Sequence, residues 1–263
     1  MGIYAVTGGS GSIGKKTIEL LKKRGHEVIN IDIYHSDIEA DLSIPEGRQK
    51  ALDELASMCP DGIDGLICSA GVSGSCGNPE MIVSLNFFGT IAMVNGAYDL
   101  LLKKRGTCVI VTSNAISQYK VRMDLVDLLN NSSEDEYRIC KLISRMDKTD
   151  LSTGTALYVA SKYALTRWMR RRSASYAANG VRINVVAPGN IHTAMTATRS
   201  MNEKMALNAL PIPTKYGKET LMESIEIAYA IVFLASPEAC GINGIVMFVD
   251  GGTDALLNAE KVY

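Results

Sequence analysis

Residues 3–14 read Ile3-Tyr4-Ala5-Val6-Thr7-Gly8-Gly9-Ser10-Gly11-Ser12-Ile13-Gly14, a short apolar run that passes straight into a glycine-rich turn. The run is typical of a buried strand, and the residues after the turn begin a stretch of helical length. Gly8, Gly11 and Gly14 permit a tight turn and let backbone N–H groups approach a pyrophosphate, whose charge the amino end of a helix favours. This order of strand, glycine turn and helix predicts a dinucleotide-binding fold, whereas glycines without that context would fit an ordinary loop.

An acidic residue follows at the end of the next strand candidate, residues 27–31. Asp32 lies ~20 residues beyond the glycines, where a carboxylate accepts hydrogen bonds from the adenosine ribose hydroxyls and repels a 2′-phosphate. No arginine follows Asp32 immediately to hold such a phosphate. We therefore expect NAD rather than NADP as the cofactor; the alternative is an aspartate that merely ends a strand.

Short apolar runs alternate with helix-length segments along the rest of the chain. The strand candidates are residues 3–6, 27–31, 65–68, 108–112, 182–186 and 246–249. The helix candidates are residues 13–24, 47–58, 79–104, 156–178 and 219–235. This alternation predicts an α/β fold, a Rossmann-type doubly wound parallel sheet of about seven strands with helices on both faces. There is no internal repeat or flexible linker, so we expect one NAD-binding domain over residues 1–263.

Residues 117–151 interrupt the alternation after the predicted fifth strand. Leu125, Leu128 and Leu129 lie at helical spacing before a polar break, and Ile139, Leu142 and Ile143 lie at helical spacing after it. The pattern predicts a helical insertion of two short helices. The insertion is either a solvated surface excursion or an apolar cover for a substrate pocket or subunit contact.

The composition excludes several functional classes. A net charge of −1 gives no bulk attraction to nucleic acid, and three widely separated histidines predict no metal site. No apolar run approaches the ~20 residues that a membrane span needs. Six scattered cysteines favour free thiols. We expect a cytoplasmic protein without a signal peptide that acts on a small molecule and binds neither nucleic acid nor membrane.

Tyr158 and Lys162 are the most informative pair of side chains. They lie four residues apart in a predicted helix and therefore share one face. The pKa of a free tyrosine is about 10, too high for a base at neutral pH. A nearby ammonium and a positively charged nicotinamide favour the phenolate and lower that pKa, so Tyr158 can exchange a proton with a substrate.

Two further polar residues stand where ligand contacts are expected. Ser113 directly follows the strand candidate 108–112, and the carboxyl ends of parallel strands face the ligand crevice. The neighbouring Thr112 is the competing candidate, and a strand-capping role is the alternative. Asn86 lies inside a predicted helix, where asparagine is unfavourable, which indicates a specific hydrogen bond.

Taken in chain order, these motifs resemble the short-chain dehydrogenase/reductase family from Gly2 to about Gly252. The matching motifs are the glycine loop, Cys68-Ser69-Ala70-Gly71, Asn86, Ser113, Tyr158-x-x-x-Lys162 and Pro188-Gly189-Asn190-Ile191-His192-Thr193. The resemblance implies that Asn86, Ser113, Tyr158 and Lys162 form a catalytic tetrad. Tyr158 would exchange the proton and Ser113 would hold the substrate oxygen. Lys162 would bind the nicotinamide ribose and lower the tyrosine pKa, while Asn86 would anchor a water that relays the proton.

The resemblance also implies the contacts to NAD. Asp41 and Leu42 match the adenine contact, Ala70 and Gly71 would lie beside the adenosine ribose, and Pro188, Ile191 and Thr193 would flank the nicotinamide. The implied cofactor-binding residues are Gly8, Ser10, Gly11, Ser12, Ile13, Asp32, Asp41, Leu42, Ala70, Gly71, Tyr158, Lys162, Pro188, Ile191 and Thr193. Ser113 and Tyr158 would contact the substrate.

The chain departs from the family pattern at three places. Ser12 stands where most short members have glycine, and Cys68-Ser69 replaces the common Asn-Asn, whose amides usually tie the sheet together. Ser113 and Tyr158 are 45 residues apart, far more than is usual, and the insertion accounts for the excess.

Within the family, the chain resembles the bacterial 3α-hydroxysteroid dehydrogenase/carbonyl reductases. The matching features are Asp32, Ala40-Asp41-Leu42-Ser43 with Glu46-Gly47-Arg48, the insertion, and Val249-Asp250-Gly251-Gly252-Thr253-Asp254-Ala255. This implies hydride transfer between NAD(H) and a hydroxyl or ketone of a steroid or bile acid. Residues 190–218 would form a lid over the substrate, rich in methionines that suit an apolar ligand or ordinary packing equally.

Two alternatives remain open. The substrate could be an aromatic or aliphatic alcohol such as coniferyl alcohol, or the chain could be a non-catalytic NAD-binding regulatory protein. The intact Tyr158, Lys162 and Ser113 argue against the second. The family habit implies a homodimer or homotetramer.

Overall fold

The structure is a computed structural model that describes residues 1–131, 135–146, 151–192, 212–215 and 221–262. The strands are β1 (Ile3–Thr7), β2 (Glu27–Asp32), β3 (Ile38–Glu39), β4 (Gly65–Cys68), β5 (Thr107–Val111), β6 (Arg182–Pro188) and β7 (Val246–Val249). They form one sheet in the order β3-β2-β1-β4-β5-β6-β7, with every neighbouring pair parallel. The direction of winding reverses between β1 and β4, where doubly wound folds bind their ligands.

The described helices flank this sheet. They are α1 (Ser12–Lys23), α2 (Pro45–Met58), α3 (Pro79–Val83), α4 (Thr90–Gly96), α5 (Tyr98–Lys104), α6 (Ala115–Gln118), α7 (Met123–Leu129), α8 (Glu136–Ile143), α9 (Leu151–Ala178), α10 (Ser224–Ala235) and α11 (Thr253–Leu257). A π-helical turn, Ser84–Gly89, joins α3 to α4.

Each face of the sheet carries its own apolar core, because successive strand residues point to opposite faces. In β1, Tyr4 and Val6 pack with α1 and α10, whereas Ala5 belongs to the core formed by α2–α5 and α7–α9. Strands buried on both faces must be apolar throughout, and all five residues of β5 are buried. The predicted doubly wound parallel sheet with helices on both faces is therefore confirmed.

Four elements differ from the sequence-based prediction, one of them α9, which begins at Leu151 rather than at residue 156. The predicted helix 79–104 is wrong as a single helix, because the π-helical turn interrupts it and the backbone breaks again at Ala97. Strand β3 was not among the strand candidates, because two residues are too few to show the hydrophobic pattern of a strand. Helix α10 begins at Ser224, where Glu223 and Glu226 form a capping box, so the predicted start at residue 219 is too early.

The insertion consists of short helices, as predicted, and α7 and α8 match the two expected apolar stretches. Leu125, Leu129, Ile139 and Ile143 are buried in the core of their own chain. Helix α7 packs against α9, and α8 packs against α3 and the π-helical turn. These four of the six predicted apolar residues are thus buried inside the chain, whereas Leu142 is exposed, so the insertion is not a purely solvated excursion.

Arg48 fastens the insertion to the rest of the fold. The guanidinium is almost completely buried, donates to the carbonyls of Leu42, Ser43 and Ser84, and pairs with Glu136 at the start of α8. One side chain therefore joins α2, the π-helical turn and the insertion.

The ends of the predicted lid are held together. Ile191 and Met222 form a parallel β-bridge, in which His192 N–H donates to the Met222 carbonyl and Met222 N–H donates to the Asn190 carbonyl. Most of residues 190–218, including Thr193 and the methionines, lie outside the described residues, so the lid stays a prediction.

Among the described residues, no single helix has both the length and the apolarity to cross a membrane. The bent pair Pro79–Gly96 and Tyr98–Lys104, with 46° between its halves, meets those criteria only when its two parts are taken together.

We predict that Glu136→Gln lowers the free energy of unfolding by about 2 kcal/mol, because it leaves the Arg48 charge buried without its counter-ion. The measurement is urea-induced unfolding at neutral pH. The matched control is Asp124→Asn, which breaks an ion pair with Arg122 whose two side chains are more than half exposed. That change should lower the free energy of unfolding far less, because solvent screens both charges. Equal effects of the two substitutions would contradict the prediction.

Candidate active site

A cavity of about 460 Å³ opens where the carboxyl ends of β1, β4, β5 and β6 meet. Its walls include the glycine loop after β1, Gly71 after β4, Ser113 after β5 and the stretch from Pro188 to Ile191 after β6. Tyr158 and Lys162 complete the wall from α9. The topology therefore brings together residues that the sequence places far apart.

The glycine loop has the shape that a pyrophosphate requires. Gly8 adopts a φ of +68°, and a Cβ built there would lie 2.6 Å from the backbone N of Ala70. A Cβ on Gly14 would lie 2.2 Å from the Gly8 carbonyl oxygen. No side chain caps α1 at Gly11, so its first N–H groups, at Ser12, Ile13 and Gly14 beside the cavity, remain available for an anion.

Asp32 and Ser10 lie together beside the loop, outside the cavity wall. The Asp32 carboxylate accepts hydrogen bonds from the backbone N–H groups of Ser10 (2.9 Å) and Ile33 (2.7 Å). The Ser10 hydroxyl donates to the Tyr34 carbonyl oxygen at 3.0 Å. These bonds fix Asp32 at the end of β2, the place at which a ribose hydroxyl would be recognised.

Of the four other predicted adenosine contacts, Gly71 lines the cavity, and Asp41, Leu42 and Ala70 do not. Asp41 is exposed, and its carboxylate accepts from the Ser43 hydroxyl at 2.6 Å. The Leu42 side chain is buried in the core, so only its backbone could meet an adenine. Ala70 N–H points back to the Thr7 hydroxyl at 3.4 Å.

Ser69 replaces the sheet-tying amide that the family pattern led us to expect. Its hydroxyl donates to the Thr7 carbonyl oxygen at 2.8 Å, and its backbone N–H donates to the same oxygen at 3.1 Å. The departure at Cys68-Ser69 therefore keeps β4 joined to β1 by a smaller donor, while the Cys68 thiol is buried in the core.

Ser113 and Thr112 differ in what their hydroxyls can reach. Thr112 is 4% exposed, and its hydroxyl donates to the Val186 carbonyl oxygen at 3.4 Å. Ser113 is half-buried at the cavity wall, and its Oγ accepts from the backbone N–H of Ala115 at 3.2 Å. The Ser113 O–H can still donate to a substrate oxygen, which favours Ser113 over Thr112.

Lys162 is a buried cation next to Tyr158. Its side chain is 5% exposed, and Nζ donates to the Val111 carbonyl oxygen at 3.2 Å. Nζ lies 6.0 Å from the centroid of the Tyr158 ring, which is half-buried at the cavity wall. Burial lowers the pKa of the Lys162 ammonium to about 8, because desolvation disfavours its charged form.

Asn86 occupies the π-helical turn and is fully buried. Its Nδ2 donates to the Val72 carbonyl oxygen and its Oδ1 accepts from the Val72 N–H, both at 2.9 Å. A Cβ on Gly71 would lie 2.9 Å from Asn86 Oδ1 and 3.3 Å from Lys162 Nζ, so both side chains flank Gly71. The specific hydrogen bonds that asparagine indicated are present, and they hold the cavity wall at Val72.

Several cavity residues were not singled out from the sequence. Asn114 is buried and donates to Asp250 at 3.3 Å, which connects the wall to the segment between β7 and α11. The others include Ser73, Gly74, Ser75, Gln118, Tyr119, Thr155, Val159 and Asn190. Most of them lie on loops or at helix ends, and Thr155 and Val159 lie within α9. Their approach to the cavity depends on the tertiary fold, so no local pattern marks them.

Comparison with known proteins finds related enzymes over the whole chain. A family model described as Enoyl-(Acyl carrier protein) reductase matches residues 142–254. A 3-alpha-hydroxysteroid dehydrogenase/carbonyl reductase of Comamonas testosteroni is 29% identical over 99% of this chain and 100% of its own. A coniferyl-alcohol dehydrogenase of a Pseudomonas species is 29% identical over 94% of both chains.

A solved structure gives the same picture. The 3-alpha-hydroxysteroid dehydrogenase from Pseudomonas sp. B-0831, complexed with NADH, is 36% identical to this chain. The match covers 99% of this chain and 100% of that protein, with a TM-score of 0.83.

We predict that Lys162→Met raises the free energy of unfolding of the cofactor-free protein at pH 7 by about 2 kcal/mol, because it removes a desolvated charge. The pKa of Lys162 is lower in the folded chain, so its cost is fully present below pH 8 and disappears as the pH rises toward 10.5. Urea unfolding at pH 7 and pH 9.5 measures both effects. A variant less stable than the wild type at pH 7 would contradict the burial argument.

Proposed function

This chain belongs to the short-chain dehydrogenase/reductase family and is an oxidoreductase that uses NAD(H), and we propose that it transfers a hydride between NAD(H) and a secondary alcohol or ketone on a steroid or bile acid. The observation that carries the proposal is the buried Lys162 ammonium beside Tyr158, in one cavity with Ser113 and the glycine loop. Among the described residues of the cavity wall, Lys162 is the one cation, and the Tyr158 phenol lies next to it.

The cavity fits NAD by its own geometry. Gly8 and Gly14 leave a cradle that a Cβ would fill, and the uncapped start of α1 offers N–H groups to a pyrophosphate. Asp32, held by Ser10 and Ile33, would take the adenosine ribose. We propose that Pro188 and Ile191 line the nicotinamide end, and that Lys162 holds the nicotinamide ribose. When bound, NAD supplies the acceptor for the hydride of the substrate's carbinol carbon.

The proton chemistry falls to Tyr158. Its phenolate would take the proton of the substrate hydroxyl in oxidation, and its phenol would return a proton to the carbonyl oxygen in reduction. The adjacent Lys162 ammonium favours the phenolate, and the Ser113 hydroxyl would hold the substrate oxygen by donating to it. Asn86 keeps the wall at Val72 in place and would anchor the water of a proton relay.

The substrate class rests on the relatives and on the cavity. Two relatives matched over their full length are named hydroxysteroid dehydrogenases. A cavity of about 460 Å³ lies in the range of ~300–1,000 Å³ typical of small-molecule sites. The coniferyl-alcohol dehydrogenase, at equal identity over less of the chain, supports an aromatic alcohol as the alternative substrate.

Several expectations from the sequence stay predictions. They are the homodimeric or homotetrameric state, the cytoplasmic location, the single domain over residues 1–263 and the lid over residues 190–218. The small-molecule substrate is supported by the family, because its members act on small molecules with NAD.

We predict that Tyr158→Phe lowers kcat for hydroxysteroid oxidation by roughly 10²–10⁴-fold, because the phenyl ring cannot exchange a proton. NADH binding should be nearly unchanged, since the ring and its packing remain. The measurements are NADH formation at mildly alkaline pH and fluorescence titration of NADH.

The matched control is Tyr163→Phe, on the same helix and half-buried but outside the cavity wall. It should leave kcat close to the wild-type value. Unchanged turnover by Tyr158→Phe would refute the mechanism.

A further inference from the structure

The cavity wall contains several polar, uncharged side chains, among them Ser73, Ser75, Gln118 and Thr155. Among the described residues that line the cavity, Lys162 is the one charged side chain, and its Nζ lies beside Gly71. The uncharged part of the wall therefore suits a neutral oxygen better than a carboxylate or a phosphate.

Gln118 stands out among these polar residues. Its Nε2 is buried and has no hydrogen-bond partner among the described residues. A buried amide nitrogen without an acceptor costs free energy, and such groups are uncommon in native proteins unless something outside the described contacts satisfies them. Because Nε2 has almost no accessible surface while the residue is half-buried, a rotation of the amide toward the cavity would let a ligand oxygen there accept its hydrogen bond.

The fold fixes the position of Gln118 relative to the reacting groups. Gln118 ends α6, five residues after Ser113, and α6 packs against α9, which carries Tyr158. Another part of the wall is held against α9, because a Cβ on Gly74 would lie 2.7 Å from the Gly154 carbonyl oxygen. The Gln118 side chain thus lines the same cavity as Ser113, Tyr158 and Lys162, but it takes no part in the proposed proton transfer.

We propose that Gln118 is a specificity-determining residue, whose amide donates a hydrogen bond to a second, uncharged oxygen of the substrate, a carbonyl or hydroxyl remote from the oxidised carbon. The inference rests on the proposed function and adds a second polar anchor to the substrate. A rigid ligand with oxygens at both ends would be held at Ser113 and Tyr158 by one end and at Gln118 by the other. This arrangement would orient the carbinol carbon.

The test uses two hydroxysteroids that share the oxidised hydroxyl, one with a ketone on the opposite ring and one with a methylene there. Gln118→Met keeps the size of the side chain and removes its donor. The variant should lose about 10-fold in kcat/KM for the ketone-bearing substrate and almost nothing for the other. Gln118→Glu, which offers an acceptor in place of the donor, should show the same selective loss.

The matched control is Gln49→Met, because Gln49 is exposed on α2 and donates to Asp53. It should change neither substrate's kcat/KM, and NADH titration should give the same Kd for every variant.

Each outcome separates this inference from the proposed function. A wild type that oxidises both steroids while Gln118→Met lowers kcat/KM equally for the two contradicts the inference, because Gln118 would then pair within the protein. No effect on either substrate also contradicts it, and the proposed function stands in both cases. A wild type that oxidises neither steroid, with NAD bound, removes the proposed function and this inference with it.

Discussion

The arrangement depends on one buried charge, the Lys162 ammonium against the last carbonyl of β5. A lysine that is 5% exposed is unfavourable unless its surroundings compensate the lost hydration. Here the strand supplies an acceptor at Val111, Gly71 leaves room for Nζ, and Asn86 holds the adjoining loop at Val72. In the proposed mechanism this is the place where the Lys162 cation acts on the Tyr158 phenol, and active sites commonly give up stability in this way.

The parallel sheet offsets the free-energy cost of burying Lys162, because it holds the residues around the cavity at one edge of the sheet. The winding reverses between β1 and β4, and Ser69 joins the two strand ends through the Thr7 carbonyl oxygen. The insertion reinforces the opposite side. Asn130 and Arg167 hydrogen-bond each other between α7 and α9, and Arg48 joins α8 to the turn that contains Asn86. The insertion therefore supports the helix that carries Tyr158 and Lys162.

The sequence was sufficient to predict the features that depend on neighbouring residues alone. The apolar strands, the glycine loop and the four-residue spacing of Tyr158 and Lys162 each follow from backbone geometry, so the sheet and these parts of the cavity wall could be predicted. The π-helical turn could not, because only the asparagine hinted at it and the bonds to Val72 are tertiary. The burial of Arg48 and the unsatisfied amide of Gln118 also depend on contacts between distant segments. From the sequence alone, Arg48 and Gln118 are polar residues typical of the protein surface.

The most direct test is NADH formation from NAD at mildly alkaline pH, across a panel of bile acids and steroids that differ at single hydroxyls. We expect turnover confined to the substrates that share one hydroxyl position, since a cavity with fixed polar groups holds one orientation. A protein that binds NAD yet forms no NADH with any member of the panel would contradict the assignment of a steroid or bile-acid hydroxyl as its substrate.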